Sequence, residues 1–383
     1  MSTLQGQSFN LEMVSKVLEQ DSKKLICCTC GAQYSQEDPS KLFPPNSCII
    51  CLDERQYVAP GGQKWTNLEE LEFGEGRLDF EMVPEPSEPC ILRLKSFFSG
   101  GGGDGDGADL PSSPVRRGGW RDTVGIGQTP ILVTTTKGIL IWDCSALFTR
   151  NLASRILQLQ QSSRLPFLGI FVSHPHFYNS SLTWAKALST KVHISSLDKE
   201  WYLRGLCQVS DGLYSLVDTA REDFSPEERL DIQACSEHVV AWEGDVLEVV
   251  PGVKVLRCGG HFPGSSILVW DRDLTPGHDT TSQRAGDGNA RRGGVALCSD
   301  TFMPCPDGKT FSFMWSYPNM IPLKPKDVEK IWQSVRPYPF QDVIGGWPGK
   351  AILGSSHEKL RISACNFVEM EGWDPTGFDF SYP

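Results

Sequence analysis

From residue 120 onward the chain is dominated by short apolar runs that end in turn residues. Ile131–Thr135 and Ile139–Trp142 flank Lys137-Gly138, and Leu247–Val250 and Val253–Leu256 flank Pro251-Gly252. Each pair predicts a β-hairpin. Phe167–Val172, Ser266–Trp270 and Val295–Cys298 are further apolar runs of strand length. Between them the period changes. Over Pro325–Val335, Val328, Ile331, Trp332 and Val335 recur at helical spacing, with a proline where a first turn tolerates it. A second helix is predicted from the Ser180-Ser181 cap, with Leu182, Ala185 and Leu188 on one face. Hairpins first, then strands alternating with helices, predict an α/β (α+β) fold with a mixed sheet covered by helices.

Upstream the pattern differs. Residues 1–24 read as a polar lead-in with one short helical pattern at Leu11, Val14, Val17 and Leu18. Residues 25–66 hold a tight cysteine cluster, and residues 67–98 are mixed, ending in the strand-like Cys90–Leu94. Ser99–Gly119 and Thr275–Gly294 are too poor in apolar residues to order themselves and read as flexible insertions. Strand signals resume after each insertion. The expected division is therefore a lead-in (1–24), a cysteine module (25–66) and one large domain (67–383) with insertions at 99–119 and 275–294.

Composition narrows the function classes. The 383 residues carry a formal charge of −11, which argues against nonspecific attraction to nucleic acid or an anionic membrane. No stretch approaches the roughly 20 apolar residues that span a bilayer, and the N-terminus lacks the basic and apolar regions of a secretory signal. Cytoplasmic residence is the expectation. The thirteen cysteines are then read as metal ligands or small core residues rather than disulfides.

Candidate chemistry lies where apolar runs end. Phe167–Val172 leads into Ser173-His174-Pro175-His176, and two histidines at this spacing on a loop can aim both imidazoles at one ion. Val255-Leu-Arg-Cys leads into Gly259-Gly260-His261, and Val295-Ala-Leu-Cys into Ser299-Asp300. A weaker example is Ala351-Ile-Leu-Gly-Ser-Ser-His357. His193 and His238 read as structural, and His278 as solvated within an insertion.

The His174-Pro-His176 loop, the Gly260-His261-Phe-Pro-Gly264 segment and Ser299-Asp300-Thr-Phe resemble, in that order, the metal motifs of the metallo-β-lactamase superfamily. Gly125-Ile-Gly-Gln-Thr-Pro through Trp142-Asp143-Cys resembles its opening hairpin. The likeness covers roughly residues 120–360 and implies an αββα sandwich with a metal cleft at one edge of its two sheets. By position, the resemblance implies that His174, His176 and His261 form one complete metal site, with Asp300 as the carboxylate that bridges to a second. The family motif His-x-His-x-Asp-His departs here, because Tyr178 and Asn179 stand where the second metal's Asp and His belong. Phenol and carboxamide are poor zinc ligands. Only His357 and Asp300 remain for a second ion, so one metal is expected.

Three histidines with an open position match the pattern that lowers the pKa of a bound water to about 7. The resemblance thus implies a mononuclear zinc hydrolase that uses metal-bound hydroxide on a small-molecule ester, thioester or amide. Asp300 would hold the water or ligate, and Tyr178 or His357 would supply a proton or polarise the carbonyl. A second reading is a non-catalytic metal- or partner-binding protein on the same scaffold. A third is a non-heme iron oxygenase, with two histidines and Asp300 as a facial triad.

Cys27-Cys28-Thr-Cys30-Gly31 and Cys48-Ile-Ile-Cys51 form two C-x2-C knuckles. Cys27, Cys30, Cys48 and Cys51 therefore predict a closed, structural zinc ribbon, with Cys28 pointing away. Between Asp21 and Thr66, five basic residues balance five acidic ones, so the electrostatic footprint of a nucleic-acid binder is missing. The expectation is docking on the main domain or on a protein partner, through Asp53–Tyr57 and Gln63–Thr66. The two metal sites are expected to be independent. The other cysteines read as core.

Overall fold

A computed structural model of the chain describes residues 2–42, 44–75, 77–99, 124–204, 225–278 and 292–382. Its frame is a pair of sheets. The first holds seven strands whose spatial order follows the chain: β1 (Leu78–Glu85), β2 (Glu88–Phe98), β3 (Ile131–Thr135), β4 (Gly138–Trp142), β5 (Phe167–Phe171), β6 (Val192–Ser195) and β7 (Val239–Trp242). β1 to β4 are antiparallel, and β4 to β7 run parallel. The second holds β8 (Val246–Val250), β9 (Val253–Arg257), β10 (Ser266–Asp271), β11 (Gly294–Cys298), β12 (Asp342–Gly345) and β13 (Ala351–Ile352). Only the β11–β12 pair is parallel in this sheet. Both predicted hairpins form, as β3–β4 and β8–β9.

Alternation along the strands sets the layers. Ile131, Val133, Leu140 and Trp142 face the second sheet and meet Val255, Leu268 and Leu297 from it. Their neighbours Leu132, Ile139 and Ile141 face outward, onto a helical layer of α1 (Ser2–Asp21), α2 (Arg150–Ser163) and α3 (Ser181–Ala187). On the far side, Leu256, Ile267 and Ala296 pack under α5 (Pro325–Val335) and α6 (Ser356–Met370). The chain is an αββα sandwich. Strands covered on both faces have no reason to alternate in polarity, hence the unbroken apolar runs.

The lead-in differs from its expectation. α1 extends to Asp21, and Val14, Val17 and Leu18 lie in the same core as Leu152, Ile156 and Leu182. In place of one short helical pattern, a 20-residue helix joins the helical layer of the sandwich. α2 and α4 (Pro226–His238) escaped the periodicity argument. α4 buries only Asp231 and Cys235, so its inward side carries a charge where an apolar stripe was sought.

That charge belongs to a buried network. Arg204 donates to Asp231 (2.9 and 2.7 Å), to Asp21 (3.1 Å), to Gln33 Oε1 (2.6 Å) and to Thr183 Oγ1 (2.7 Å). It ties α1, α3, α4 and the cysteine module together. A fully buried guanidinium is tolerable only because its donors are so well matched.

Most of the first insertion and residues 279–291 of the second lie outside the described residues. The start of the second is built into the sandwich: Thr136 N–H donates to Pro276 O (2.9 Å) and His278 N–H to Thr134 O (3.0 Å). Among the described residues, no helix is long and apolar enough to cross a membrane.

Candidate metal centre

Three strand ends converge at one edge of the sandwich. After β5, the chain passes through Ser173 to His174 and His176, the latter in a short helix, Pro175–Phe177. The β9–β10 connection carries His261, and Asp300 follows β11. Ligand atoms of His174, His176, His261 and Asp300 all lie within 4.8 Å of one another, and all four residues are buried. His261 Nε2 is 3.1 Å from His176 Nδ1. Asp300 Oδ2 is 3.5 Å from His174 Nε2 and 3.7 Å from His261 Nε2.

Local sequence explains the approach. Gly259 and Gly260 adopt φ of +75° and +86°, which β-carbon sterics disfavour, and a Cβ at Gly260 would press on Ile331 and Leu323 at 3.0 Å. Gly264 is needed for space: a Cβ there would fall 2.4 Å from Ser195 Oγ.

The electrostatics suit a cation. Burial pushes His174 down to about 3, His261 to about 4, and His176 well below its ordinary value with help from the neighbouring histidines. The three rings are thus neutral, with lone pairs to donate. His261 Nδ1 donates to Met314 O (3.2 Å), which leaves its Nε2 lone pair facing the cluster. Burial raises Asp300 to about 6. His174 Nε2 and Asp300 Oδ1 are buried without a hydrogen-bond partner. Such orphaned polar atoms, on a mixed imidazole–carboxylate set, fit a divalent ion.

Asp143 is a site residue that sequence reasoning missed. It follows β4 in the left-handed region (φ +61°) and is fully buried. Its carboxylate accepts from Ser173 N–H (2.7 Å) and from Ser299 Oγ, so it ties the His174 loop to the Asp300 loop across the two sheets. Burial raises it to about 7. The available signal was the one used for Asp300, a carboxylate just past a strand end.

Two expected contributors are placed elsewhere. His357 lies on α6, its Nε2 facing Val335 O (3.2 Å) and its ring among Trp332, Phe340 and Tyr382. It belongs to the outer face of the second sheet, so a proton-donating role at Asp300 is not available to it. Tyr178 is buried against Tyr202, and its hydroxyl donates to Asp198 O (3.3 Å). Its phenol points into the core, away from the reacting position expected of it. Asn179 donates to His176 O (2.9 Å) and packs against Gly31, whose Cβ would fall 2.2 Å from its Oδ1. Where the family motif has its second-metal ligands, this chain has packing and ribbon contacts. His193 stacks on Phe171, and His238 Nδ1 meets Thr190 O.

The four-cysteine group forms as spaced. The Sγ atoms of Cys27, Cys30, Cys48 and Cys51 lie within 4.8 Å of one another, with Cys27–Cys51 and Cys30–Cys48 each at 3.5 Å. Cys30 N–H and Gln63 Nε2 donate to Cys27 Sγ (3.5 and 3.0 Å). Burial holds Cys30 well above the usual thiol range, so full ionisation of the set needs a cation. Cys28 stands apart, raised to about 12 mainly by burial. Outside these two groups, Cys90, Cys144, Cys235, Cys258 and Cys298 are buried; Cys305 and Cys365 are half-buried; Cys207 lies outside the described residues.

The ribbon docks through Asp53–Tyr57. Arg55 grips Asp53 through two N–H groups (2.7 and 2.9 Å), donates to His261 O (3.1 Å) and lies 3.7 Å from the Phe262 ring centre. Gln56 Nε2 reaches 3.3 Å from His176 Nδ1. These contacts join the ribbon to the sandwich beside the histidine cluster. A cleft of about 1050 Å³ opens beside Asp300, walled by Gln56 and Tyr57 of the ribbon, by Ile126, and by Met303, Tyr317 and Trp347.

No family model matches the chain. A protein of Bacillus subtilis (strain 168), "Uncharacterized protein YmaE", is 28% identical over 344 residues, covering 90% of this chain and 95% of its own. Among solved structures, TMB-1 is similar over 77% of this chain and 99% of its own, at 12% identity and a TM-score of 0.43. VMB-1 (10% identity, TM-score 0.41) covers 77% of this chain and 99% of its own. DIM-1 metallo-beta-lactamase (12%, 0.41) covers 77% and 98% respectively.

Proposed function

We propose that this protein is a metal-dependent hydrolase of the metallo-β-lactamase type, holding one divalent ion, zinc by preference, at His174, His176, His261 and Asp300. The observation that carries the reading is the convergence of four buried donors from three strand ends within 4.8 Å. A bound ion would supply Lewis acidity and lower the pKa of a coordinated water. The chain's own residues do the rest. The neutral imidazoles would hold the ion, and Ser173, Asp143 and Ser299 keep the His174 and Asp300 loops in register. Asp300 would hold the ion through one carboxylate oxygen, and its Oδ1, buried without a hydrogen-bond partner, would be the acceptor for a water proton. The cleft beside Asp300, with Ile126, Met303, Tyr317 and Trp347 in its walls, has room for a small-molecule ester, thioester or amide. A second ion is proposed at the four thiolates, where it contributes folding energy.

A second reading, a binding protein on the same scaffold, is favoured by the commitment of Tyr178 and Asn179 to packing. Elemental analysis separates these. Two zinc per chain fits the hydrolase, one zinc plus one iron an oxygenase, and a single ribbon zinc the binder. His261→Ala should lower the content by one metal and leave the ribbon's in place. Two metals still bound in that variant would count against the site.

A further inference from the structure

Gln56 comes from the ribbon, yet its carboxamide lies 3.3 Å from His176 Nδ1 and lines the cleft beside Asp300. The residue is only 7% exposed. Its position is over-determined. Asn319 Nδ2 donates to the carbonyls of both Glu54 and Gln56 (3.1 Å each), and Ser316 Oγ donates to that of Arg55 (2.9 Å). Three consecutive carbonyls are thus held by one turn of the sandwich, while the Arg55 side chain fastens the same loop to His261 and Phe262. Pre-organisation of this kind is what places a side chain within a fraction of an ångström.

The present partner of that amide is temporary by its chemistry. A ring nitrogen that gives its lone pair to a cation cannot also accept a hydrogen bond. His176 Nδ1 is the ring nitrogen that faces the cluster, 3.1 Å from His261 Nε2; with an ion bound there, the Gln56 N–H groups would turn to another acceptor, and the cleft beside Asp300 is where one would arrive. We infer that Gln56 is a substrate-binding residue, donating a hydrogen bond to the carbonyl oxygen of the ester, thioester or amide, an inference that rests on the hydrolase reading. A carboxamide suits this role because its donor stays neutral and strengthens its bond as negative charge builds on that oxygen. The ribbon then does more than fold: it delivers a functional group to the sandwich's site.

The test uses the full-length protein loaded with cobalt(II), whose weak visible bands report the nitrogen–oxygen site while intense sulfur charge transfer reports the ribbon. Acetohydroxamate, which presents a carbonyl oxygen to the ion, is titrated as the probe. Gln56→Leu, which keeps bulk, and Gln56→Ala should both bind it about tenfold more weakly, the factor for a hydrogen bond of ordinary net strength. Cobalt affinity and the visible bands before probe should match the wild type. Equal hydroxamate affinity in both variants overturns the inference. So does parallel loss of cobalt, which would reduce Gln56 to a support for His176. A wild-type protein that takes no cobalt into the nitrogen–oxygen site sinks the hydrolase reading itself, before any probe is added.

Discussion

Replacing Arg55 with alanine should loosen the ribbon from the sandwich while leaving both modules folded. The Asp53 pair lies within the docking loop and does not count toward docking. What crosses the junction is the hydrogen bond to His261 O and the stacking on Phe262. The side chain is 13% exposed, so solvent screens little of either. A hydrogen bond from a charged donor contributes about 1.5–3 kcal/mol, and a partly desolvated cation–π contact about 0.5–2. Allowing for water replacing part of the lost bond, roughly 2–3 kcal/mol of docking free energy is removed, or about 30- to 150-fold in the opening equilibrium. Native-state hydrogen exchange reads this directly. Two backbone bonds cross the junction, Gly125 N–H to Cys28 O (3.1 Å) and Gln33 N–H to Asn179 O (3.3 Å), and Gln56 N–H closes the docking turn on Asp53 O. These three amides should exchange faster by that factor, with Ile141 in β4 unchanged as the control. If all three stay within about threefold of wild type, Arg55 adds little to the docking already made by Asn319, Ser316 and Arg204, and the reasoning fails.

Other consequences can be checked separately. Cys27→Ser with Cys30→Ser should release the ribbon metal and, through the Arg55 contacts to His261 and Phe262, weaken metal retention at the histidine site; a central metal held as firmly as in wild type would show the two sites to be independent. Gly31→Ala combines a φ of +83° with a Cβ 2.2 Å from Asn179 Oδ1, so it should destabilise by roughly 2–4 kcal/mol in denaturant titration; a change below about 0.5 kcal/mol would contradict the packing. Asp198 is raised to about 7 by burial, against bonds from Gly264 N–H and the charge of Arg55. An acid raised in the folded state binds more protons there, so its contribution is full below pH 4 and is lost as pH climbs to about 7. Asp198→Asn should therefore gain stability over wild type between pH 4 and 7 and hold that gain above it; a pH-independent difference would refute the assignment.

Much of the sandwich was readable along the chain because its causes are local. Apolar runs ended by Lys137-Gly138 and Pro251-Gly252 can only turn back on themselves, and the stripe of Val328, Ile331, Trp332 and Val335 has one face to bury. α4 was not readable, since its buried Asp231 is satisfied by Arg204 from another element. Asp143 stood visibly past a strand end, but its role was not readable, because its partners Ser173 and Ser299 are neighbours only in space.

By itself, the amino-acid order determined the donor types and their spacing: the two cysteine knuckles, the His174–His176 loop, and His261 and Asp300 at strand ends. Which of these come together was decided by the stacking of two sheets, because β5, β9 and β11 reach one edge only once their inner faces are buried together. The same packing carried His357 to the opposite face and turned Tyr178 inward. It also brought Gln56 beside His176 across 120 residues. Spacing along a chain encodes what a segment offers, and long-range burial, which no short window contains, selects what that offer meets.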